Sequence, residues 1–313
     1  MPIWILLIAL LLVAFVFWRL WPEPLARSFQ LADRSRGRLR SRRVQLDGAD
    51  WHYLEGGHGE PLVLLHGFNA DAHHFCRVAR HLTAHFRILA PDLPGFGETR
   101  ARTVEGFSVE DQARAVLDWL DRIGVHHFYL GGNSMGGYIA VAIARLVPER
   151  VRALWLLAPG GLHSVKLSAV LAEVADERHN PLVIRDLADF RRLVDYCFVH
   201  PPWIPAPLAR FLARRSAAQA VQAQRIFDAL RYDSTPLEDL AGSVRTPALI
   251  TWGQADQVLH PQGASVLEQL MPDAQSLIVP SIGHLPMLEA PRNVAEAWVA
   301  FTEALARRGS PND

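Results

Sequence analysis

The chain has little cysteine and almost no lysine. Its 313 residues include two cysteines, Cys76 and Cys197, and no spacing pairs them, so a disulfide framework is excluded and both are expected to be free thiols. Lys166 is the only lysine among 32 basic residues. We attribute this arginine bias to genomic composition. The formal net charge is zero, so no overall excess of one sign indicates a partner.

The sequence also lacks the motifs of several function classes. It contains no phosphate-binding glycine loop, no internal repeat and no basic patch with stacking aromatics, so no nucleic-acid partner is expected. Four histidines lie close together, but no glutamate joins them in an HExxH pattern: His73, His74, His81 and His85. We therefore predict no metal and no cofactor.

Charged side chains are absent from residues 1–18. A helix extended to Trp21 would span about 30 Å, one hydrocarbon core, and Trp18 and Trp21 would lie in an aromatic belt. A cleaved signal peptide needs a basic n-region and a small-residue cleavage site, whereas the first basic residue is Arg19. We predict a retained transmembrane anchor over residues 1–24. A buried core helix is the alternative.

Positive charge is concentrated after this apolar run. Residues 1–43 contain eight arginines against Glu23 and Asp33, and the remainder carries the compensating negative charge. An Arg-rich juxtamembrane segment over residues 25–43 would be attracted to anionic lipid, by about 1 kcal/mol per residue near the surface. A solvated basic linker is the alternative. The positive-inside rule favours a cytoplasmic position for the domain that follows.

From residue 44 onward, short apolar runs alternate with amphipathic stretches. Strands are predicted at 44–46 and 51–54, joined as a hairpin through Asp47 and Gly48, and further strands and helices follow. Strands alternating with helices predict a mostly parallel sheet covered on both faces. The later strands are expected at 61–65, 86–90, 128–130, 151–158, 247–252 and 275–279, and the helices at 72–84, 108–123, 138–146, 262–271 and 291–307.

This rhythm breaks after Pro159-Gly160-Gly161. About 80 residues follow with no clear buried strand, and their helical stretches are expected at 164–177, 186–199 and 206–231. A position between two core strands favours a helical lid over residues 161–242, set into a core formed by residues 44–160 and 243–313. An ordinary helical insertion with its own small core is the alternative.

One pentapeptide, Gly132-Asn-Ser134-Met-Gly136, has the pattern of a nucleophile elbow. In that turn a strand ends, the serine adopts a strained backbone conformation and a helix begins. Glycines on either side allow the helix to pack close to the strand. The pattern alone is weak, because glycine and serine are common.

The chain supplies the other groups that such a serine needs. A serine hydroxyl requires a base and donors for the oxyanion. Asp256 and His284 follow Ser134 in the order Ser, acid, His, and each comes just after a predicted strand. Ser134, Asp256 and His284 are therefore predicted to form a catalytic triad, with the backbone N–H groups of Phe68 and Met135 as the oxyanion hole.

Taken together, five motifs resemble the α/β-hydrolase family over residues 44–307. They are His66-Gly67-Phe68, Asp92-Leu-Pro-Gly-Phe-Gly97, Gly132-Asn-Ser-Met-Gly-Gly137, Trp252-Gly-Gln-Ala-Asp256 and Gly283-His284. In these motifs His66 and Asp92 are expected to be structural.

More narrowly, the chain is similar to the membrane-anchored branch that contains monoacylglycerol lipases and bacterial inner-membrane phospholipases A. This resemblance rests on the N-terminal anchor, the Arg-rich segment, the Ala158-Pro-Gly-Gly-Leu162 run and the run from Trp252 to Leu259. It implies an α/β-hydrolase fold and a serine esterase cleaving acyl esters of glycerolipids. It also implies a single-pass protein of the bacterial inner membrane, held to membrane lipids by its N-terminal helix. Whether the chain forms a homodimer is left open.

Two other functions are kept as alternatives. The Asn133-Ser-Met-Gly-Gly run also resembles the carbon–carbon hydrolases of aromatic ring degradation. Those enzymes carry a Gly-rich run after the early His-Gly and a Trp after the catalytic His, where this chain has Phe68-Asn69 and Leu285. A non-catalytic, membrane-tethered ligand receptor is the alternative outside the enzymes.

Overall fold

An eight-stranded sheet organises the chain. The computed structural model describes residues 2–20, 22–46, 48–100, 106–176 and 180–309. Within them the strand order is β1-β2-β4-β3-β5-β6-β7-β8. The strands are β1 (Arg40–Leu46), β2 (Ala49–Gly57), β3 (Glu60–Leu65), β4 (Phe86–Pro91), β5 (Phe128–Asn133), β6 (Val151–Leu157), β7 (Ala248–Gly253) and β8 (Ala274–Val279).

The sheet is parallel except at one end. β1 pairs antiparallel with β2, and β2 pairs antiparallel with β4, whereas every later pair is parallel. In the parallel part Leu65 lies opposite Gly132, and Asn133 lies opposite Leu157. The carboxyl ends of β3, β5 and β6 therefore meet at one edge, where open α/β sheets place their ligands.

Helices cover both faces of the sheet. One buried cluster joins the sheet to α4, α5, α10 and α11, and a second joins it to α3, α12 and α13. The strands β3, β5 and β7 read as nearly continuous apolar runs because both of their faces are buried. The core helices are α3 (Cys76–Leu82), α4 (Val109–Arg122), α5 (Met135–Leu146), α10 (Leu237–Ala241), α11 (Gly263–Leu270), α12 (Pro286–Glu289) and α13 (Pro291–Gly309).

In the described part of the segment between β6 and α10 there are four helices: α6 (Ala169–Ala175), α7 (Leu187–Cys197), α8 (Ala206–Ala217) and α9 (Ala220–Tyr232). The helix predicted at 164–177 begins only at Ala169, because the Ser168 hydroxyl caps it by accepting from the N–H of Leu171. The helix predicted at 206–231 is two helices. A turn at Ala218 and Gln219 separates them, and no glycine or proline marks that turn in the sequence.

The segment predicted as helix 72–84 also has two parts. A 3-10 helix, Ala72–Phe75, precedes α3, and Asp71 caps it by accepting from the N–H of His73. The short helices α10 and α12 were not expected from the sequence.

The N-terminal region consists of α1 (Ile3–Leu20) and α2 (Pro22–Arg36). Among the described residues, no helix has the length and apolarity needed to cross a bilayer, and the predicted transmembrane anchor over 1–24 is not confirmed. The Arg-rich segment 25–43 is no extended linker, since it contains most of α2 and the start of β1. Met1, Asp47, residues 310–313 and the predicted aromatic belt of Trp18 and Trp21 lie outside what is described.

Candidate active site

The β5–α5 turn holds Ser134 in an unusual backbone conformation. Its φ is +55° and its ψ is −117°, which a non-glycine residue adopts only where its surroundings impose it. The Ser134 carbonyl accepts hydrogen bonds from the N–H groups of Tyr138 and Gly160, and its own N–H donates to Leu157. Ser134 is thereby fixed at the carboxyl edge of the sheet and at the start of α5.

Two glycines make this turn sterically feasible. A Cβ on Gly132 would lie 2.2 Å from the carbonyl oxygen of Gly136, and a Cβ on Gly136 would lie 2.0 Å from the carbonyl oxygen of Leu65. Both distances are far below van der Waals contact, so no side chain fits at either position. The G-x-S-x-G pattern therefore reflects the packing of α5 against β3 and β5.

The structure brings Asp256 and His284 together. Nδ1 of His284 lies 2.8 Å from Oδ2 of Asp256, and both side chains are buried. The Asp256 carboxylate also accepts from Trp252 Nε1 at 3.0 Å and from the N–H groups of Val258 and Leu259 at 2.8 and 3.0 Å. Four donors thus hold the carboxylate, and its bond to Nδ1 leaves Nε2 of His284 as the proton-accepting atom.

Asn133 connects the β5–α5 turn to the loop of His284. Its Nδ2 donates to the Leu157 carbonyl at 3.0 Å and to the His284 carbonyl at 3.2 Å. Ser134, His284 and the two expected oxyanion residues, Phe68 and Met135, line the same cavity. Because Asp256 is bonded to His284, all five residues predicted for the site lie together at one edge of the sheet.

His66 and Asp92 support the loops around this cavity. The Nε2 of His66 accepts from the N–H of Leu93 at 2.9 Å, so its Nδ1 carries the proton and donates to the Gly67 carbonyl at 2.8 Å. Burial lowers the pKa of His66. Asp92 accepts from the N–H groups of Ala72 and Glu98 and from Nδ1 of His52. Their contacts agree with a structural role for both residues.

The cavity has a volume of about 550 Å³ and is mainly apolar. Its floor is the sheet edge with Ser134 and His284. The side chains that enclose it come largely from the helices between β6 and α10, and they include Leu167, Leu171, Val174, Leu193, Phe227 and Leu230. Such a cavity fits an acyl chain better than a polar metabolite.

The segment with the helices between β6 and α10 is called the cover below. Hydrogen bonds fasten the cover to the loops that carry the site residues. Asn69 Nδ2 donates to the Leu182 carbonyl at 2.6 Å, and the N–H of His284 donates to the Cys197 carbonyl at 2.9 Å. The ring of Phe68 packs edge-on against Phe227 of α9. The cover therefore contacts both the expected oxyanion residue and the histidine loop.

Glu289 bridges the cover and the histidine loop. One carboxylate oxygen accepts from the N–H groups of Val199 and His200 at 3.0 and 3.1 Å, and the other accepts from the N–H of Gly283 at 2.8 Å. Neither this role nor the Trp252–Asp256 hydrogen bond could be inferred from the sequence. Trp252 is the penultimate residue of β7 and precedes Asp256 by four residues.

The adjacent histidines of the 3-10 helix have opposite environments. Burial tends to lower the pKa of His73, but a hydrogen bond to Asp71 and the charge of that carboxylate outweigh burial and raise it. Burial lowers the pKa of His74 to about 4, and its Nδ1 is shielded without a hydrogen-bond partner. His74 lines the cavity.

In the part of the chain that is described, no three or more His, Cys, Asp or Glu side chains are grouped to hold a metal ion.

Comparison with known proteins extends these observations. The family described as alpha/beta hydrolase fold matches residues 60–291. Lipase 1 of Psychrobacter immobilis is 32% identical over 257 residues, which cover 81% of this chain and 80% of the lipase. Monoacylglycerol lipase ABHD6 of Bos taurus is 25% identical over 311 residues, covering 94% of this chain and 91% of that protein.

A solved structure extends the similarity to three dimensions. The crystal structure of a membrane phospholipase A, described as a bacterial virulence factor, is similar with a TM-score of 0.88 and 35% sequence identity. The similarity covers 99% of this chain and 100% of that one. It therefore includes the N-terminal helices and the helices over the cavity as well as the sheet.

Proposed function

The chain belongs to the α/β-hydrolase family, and we propose that it cleaves acyl esters of glycerolipids through Ser134, His284 and Asp256. It is a serine carboxylic-ester hydrolase, as its lipase relatives are. The observation that carries the proposed mechanism is the buried His284–Asp256 hydrogen bond beside Ser134 at the floor of an apolar cavity.

In the proposed reaction Ser134 Oγ attacks the acyl carbonyl carbon, and Nε2 of His284 takes the hydroxyl proton. The N–H groups of Phe68 and Met135 hold the oxyanion, and Asp256 stabilises the protonated imidazole. His284 then protonates the departing alcohol, leaving an acyl group on Ser134. Water, deprotonated by His284, then attacks the acyl carbonyl carbon. The ester bond to Ser134 breaks, His284 returns the proton to Ser134 Oγ, and the fatty acid leaves.

Two further parts of the proposal concern the helices. We propose that the helices of residues 161–242 act as a lid that keeps the acyl chain away from water. We also propose that the chain associates with membranes through α1, whose apolar side chains include Ile3, Trp4 and Leu7 at 78%, 59% and 55% exposure. Confining enzyme and lipid to one surface increases their encounter frequency.

The test is fatty-acid release by the purified full-length protein from monoolein, lysophosphatidylcholine and phosphatidylcholine in mixed micelles, beside p-nitrophenyl butyrate. Wild type is expected to cleave at least one of the three lipids. Ser134→Ala is expected to lose at least about a thousandfold in kcat while retaining its unfolding temperature. Cleavage of p-nitrophenyl butyrate with none of the lipids would refute the lipid assignment. Full activity of Ser134→Ala would refute the triad.

The same preparations test the carbon–carbon hydrolase that the sequence left as an alternative. Ring-cleavage dienones are coloured, and their hydrolysis removes the colour. Turnover of a dienone faster than of any ester would favour that alternative over lipid hydrolysis.

A further inference from the structure

One polar group in the cavity has no role in the proposed reaction. Several polar side chains at the cavity are already bonded to the protein: Asn69 donates to Leu182, Asn133 to Leu157 and Tyr138 to Thr235. His74 differs, because its Nδ1 is buried without any partner. A buried polar atom without a partner is uncommon in a folded protein, and here it constrains the tautomer, because a proton placed on Nδ1 would have no acceptor.

The backbone holds His74 in a fixed place. The 3-10 helix Ala72–Phe75 is capped by Asp71, whose side chain accepts from the N–H of His73 and whose carbonyl accepts from the N–H of His74. The ring of the neighbouring His73 forms a hydrogen bond with the Asp71 carboxylate, whereas Nδ1 of His74 has no such partner. His74 is one of the residues that line the cavity.

His74 lies on the same side of the cavity as the loop of His284. The 3-10 helix packs against α12, which begins two residues after His284. In the proposed reaction His284 protonates the alcohol, so the alcohol leaves on the His284 side. The acyl chain is then accommodated by the apolar side chains of the cover.

The protonation of His74 follows from its surroundings. Burial keeps the ring neutral at neutral pH, because the pKa is lowered to about 4, so the ring has one N–H. A proton on Nδ1 would be a shielded donor without an acceptor. A proton on Nε2 avoids this cost, since Nδ1 and not Nε2 is the shielded, unpartnered atom of this cavity-lining ring.

We propose that His74 is a specificity-determining residue that donates a hydrogen bond from Nε2–H to a hydroxyl oxygen of the substrate's alcohol portion. The preferred substrates are then acyl esters of a polyol with a free hydroxyl, such as a partial glyceride or a lysolipid, over esters of simple alkanols. This inference rests on the proposed function, since it concerns the same site.

The experiment compares two esters that share the oleoyl chain and a three-carbon alcohol. Monoolein has two free hydroxyls, and propyl oleate has none. Both are presented to the full-length protein at equal mole fraction in mixed micelles. Three proteins are compared: wild type, His74→Phe, which removes both nitrogens, and His74→Gln, whose terminal amide can donate from a similar position.

Wild type is expected to prefer monoolein. His74→Phe is expected to lower kcat/KM for monoolein about tenfold, mainly through KM, and to change kcat/KM for propyl oleate less than about twofold. His74→Gln is expected to recover most of the loss. If His74 were only structural, its replacement would lower kcat/KM for both substrates together, and His74→Gln would not restore it.

The outcomes separate the two proposals. If wild type cleaves neither oleate ester nor any other lipid, the proposed function fails and this inference fails with it. If wild type cleaves both esters and His74→Phe lowers them equally or not at all, the proposed function stands and the role of His74 is refuted. The unfolding temperature of each variant shows whether a loss arises from misfolding.

Discussion

Single residues show how neighbouring groups of the same type acquire different chemistry. His73 and His74 are adjacent in sequence, but one ring is bonded to a carboxylate and the other is shielded without a partner at Nδ1. His66 is a third case, since two backbone groups fix its tautomer. The sequence marks a cluster of histidines, whereas only their positions in the fold distinguish the roles.

The stability of the protein should fall as the pH decreases from about 6.5 to 4, in part because of His74. Its pKa is lowered in the folded state, so below 6.5 the unfolded chain binds the proton and the folded protein does not. Burial dominates this shift; His66, His73 and His284 add to it and Asp71 opposes it. At pH 5 this difference in proton binding lowers the free energy of unfolding by up to about 2 kcal/mol.

The measurement is the unfolding temperature at pH 7.5 and pH 5. His74→Phe should lose fewer degrees than wild type over this interval, and a variant of an exposed histidine, His58→Phe, should behave as wild type. The raised pKa of His73 acts in the opposite direction, but it is common to all three proteins. Equal losses for His74→Phe and wild type would contradict the prediction.

At the level of elements, the helices over the cavity are anchored to the loops that carry the site. Glu289 is the last residue of α12 and belongs to none of the five sequence motifs. Its carboxylate nevertheless joins the segment after α7 to the loop of His284. The N–H of His284 itself donates to Cys197 at the end of α7. A movement of the cover would therefore alter the support of the histidine.

Glu289→Ala removes the acceptor of three backbone N–H groups. We expect a loss of about 2–3 kcal/mol, a fall of roughly 5 °C in unfolding temperature, and a lower kcat. The amides of residues 197–200 and 283–284 should exchange hydrogen faster.

The matched control is Glu296→Ala on α13. This glutamate forms an exposed pair with Arg292 four residues away, and such pairs are worth about 0.3–0.5 kcal/mol. Its unfolding temperature and kcat should stay close to those of wild type. Unchanged amide exchange at residues 283–284 in Glu289→Ala would show that Glu289 does not support the histidine loop.

At the level of the whole molecule, the excess positive charge of residues 1–43 is partly compensated by the core. Arg42 pairs with Glu55, and Arg43 pairs with Asp50 and Glu98. Within α2, two more pairs form, Arg27 with Glu23 and Arg36 with Asp33. The attraction to anionic lipid expected from counting arginines is thereby reduced. The exposed part of the apolar side chains of α1 is available for lipid contact.

We therefore expect full-length protein to bind vesicles mainly through apolar contact. Binding to phosphatidylglycerol vesicles should exceed binding to phosphatidylcholine vesicles at low salt. In 1 M NaCl, where the Debye length is about 3 Å, this difference should vanish while substantial binding to both remains. Co-sedimentation of protein with vesicles measures the bound fraction.

A charged substitution on α1 tests the contact. Leu7→Glu should weaken binding to both kinds of vesicle, whereas Val221→Glu on α9, at a side chain 72% exposed, should not. Complete release of wild-type protein by salt would show that the arginines dominate.

The sequence by itself determined the fold class and the residues expected to act. Apolar runs alternating with amphipathic stretches predict a parallel sheet between helices, because each strand in such a sheet is buried on both faces. Ser134, Asp256 and His284 could be chosen because each follows a strand and parallel strands end at one edge. The need for glycine at position 132 is local, since a Cβ there would lie 2.2 Å from the carbonyl oxygen of Gly136.

Only the tertiary structure decided what surrounds those residues. The bridge that Glu289 makes to Val199 and His200 and the hydrogen bond from Asn133 to His284 depend on segments far apart in the chain. Likewise, only the structure places part of the Arg-rich segment in the helix of residues 22–36 and pairs Arg42 and Arg43 with acidic side chains. Local sequence patterns encode backbone conformation and burial, whereas hydrogen bonds and ion pairs between distant segments exist only after the chain has folded.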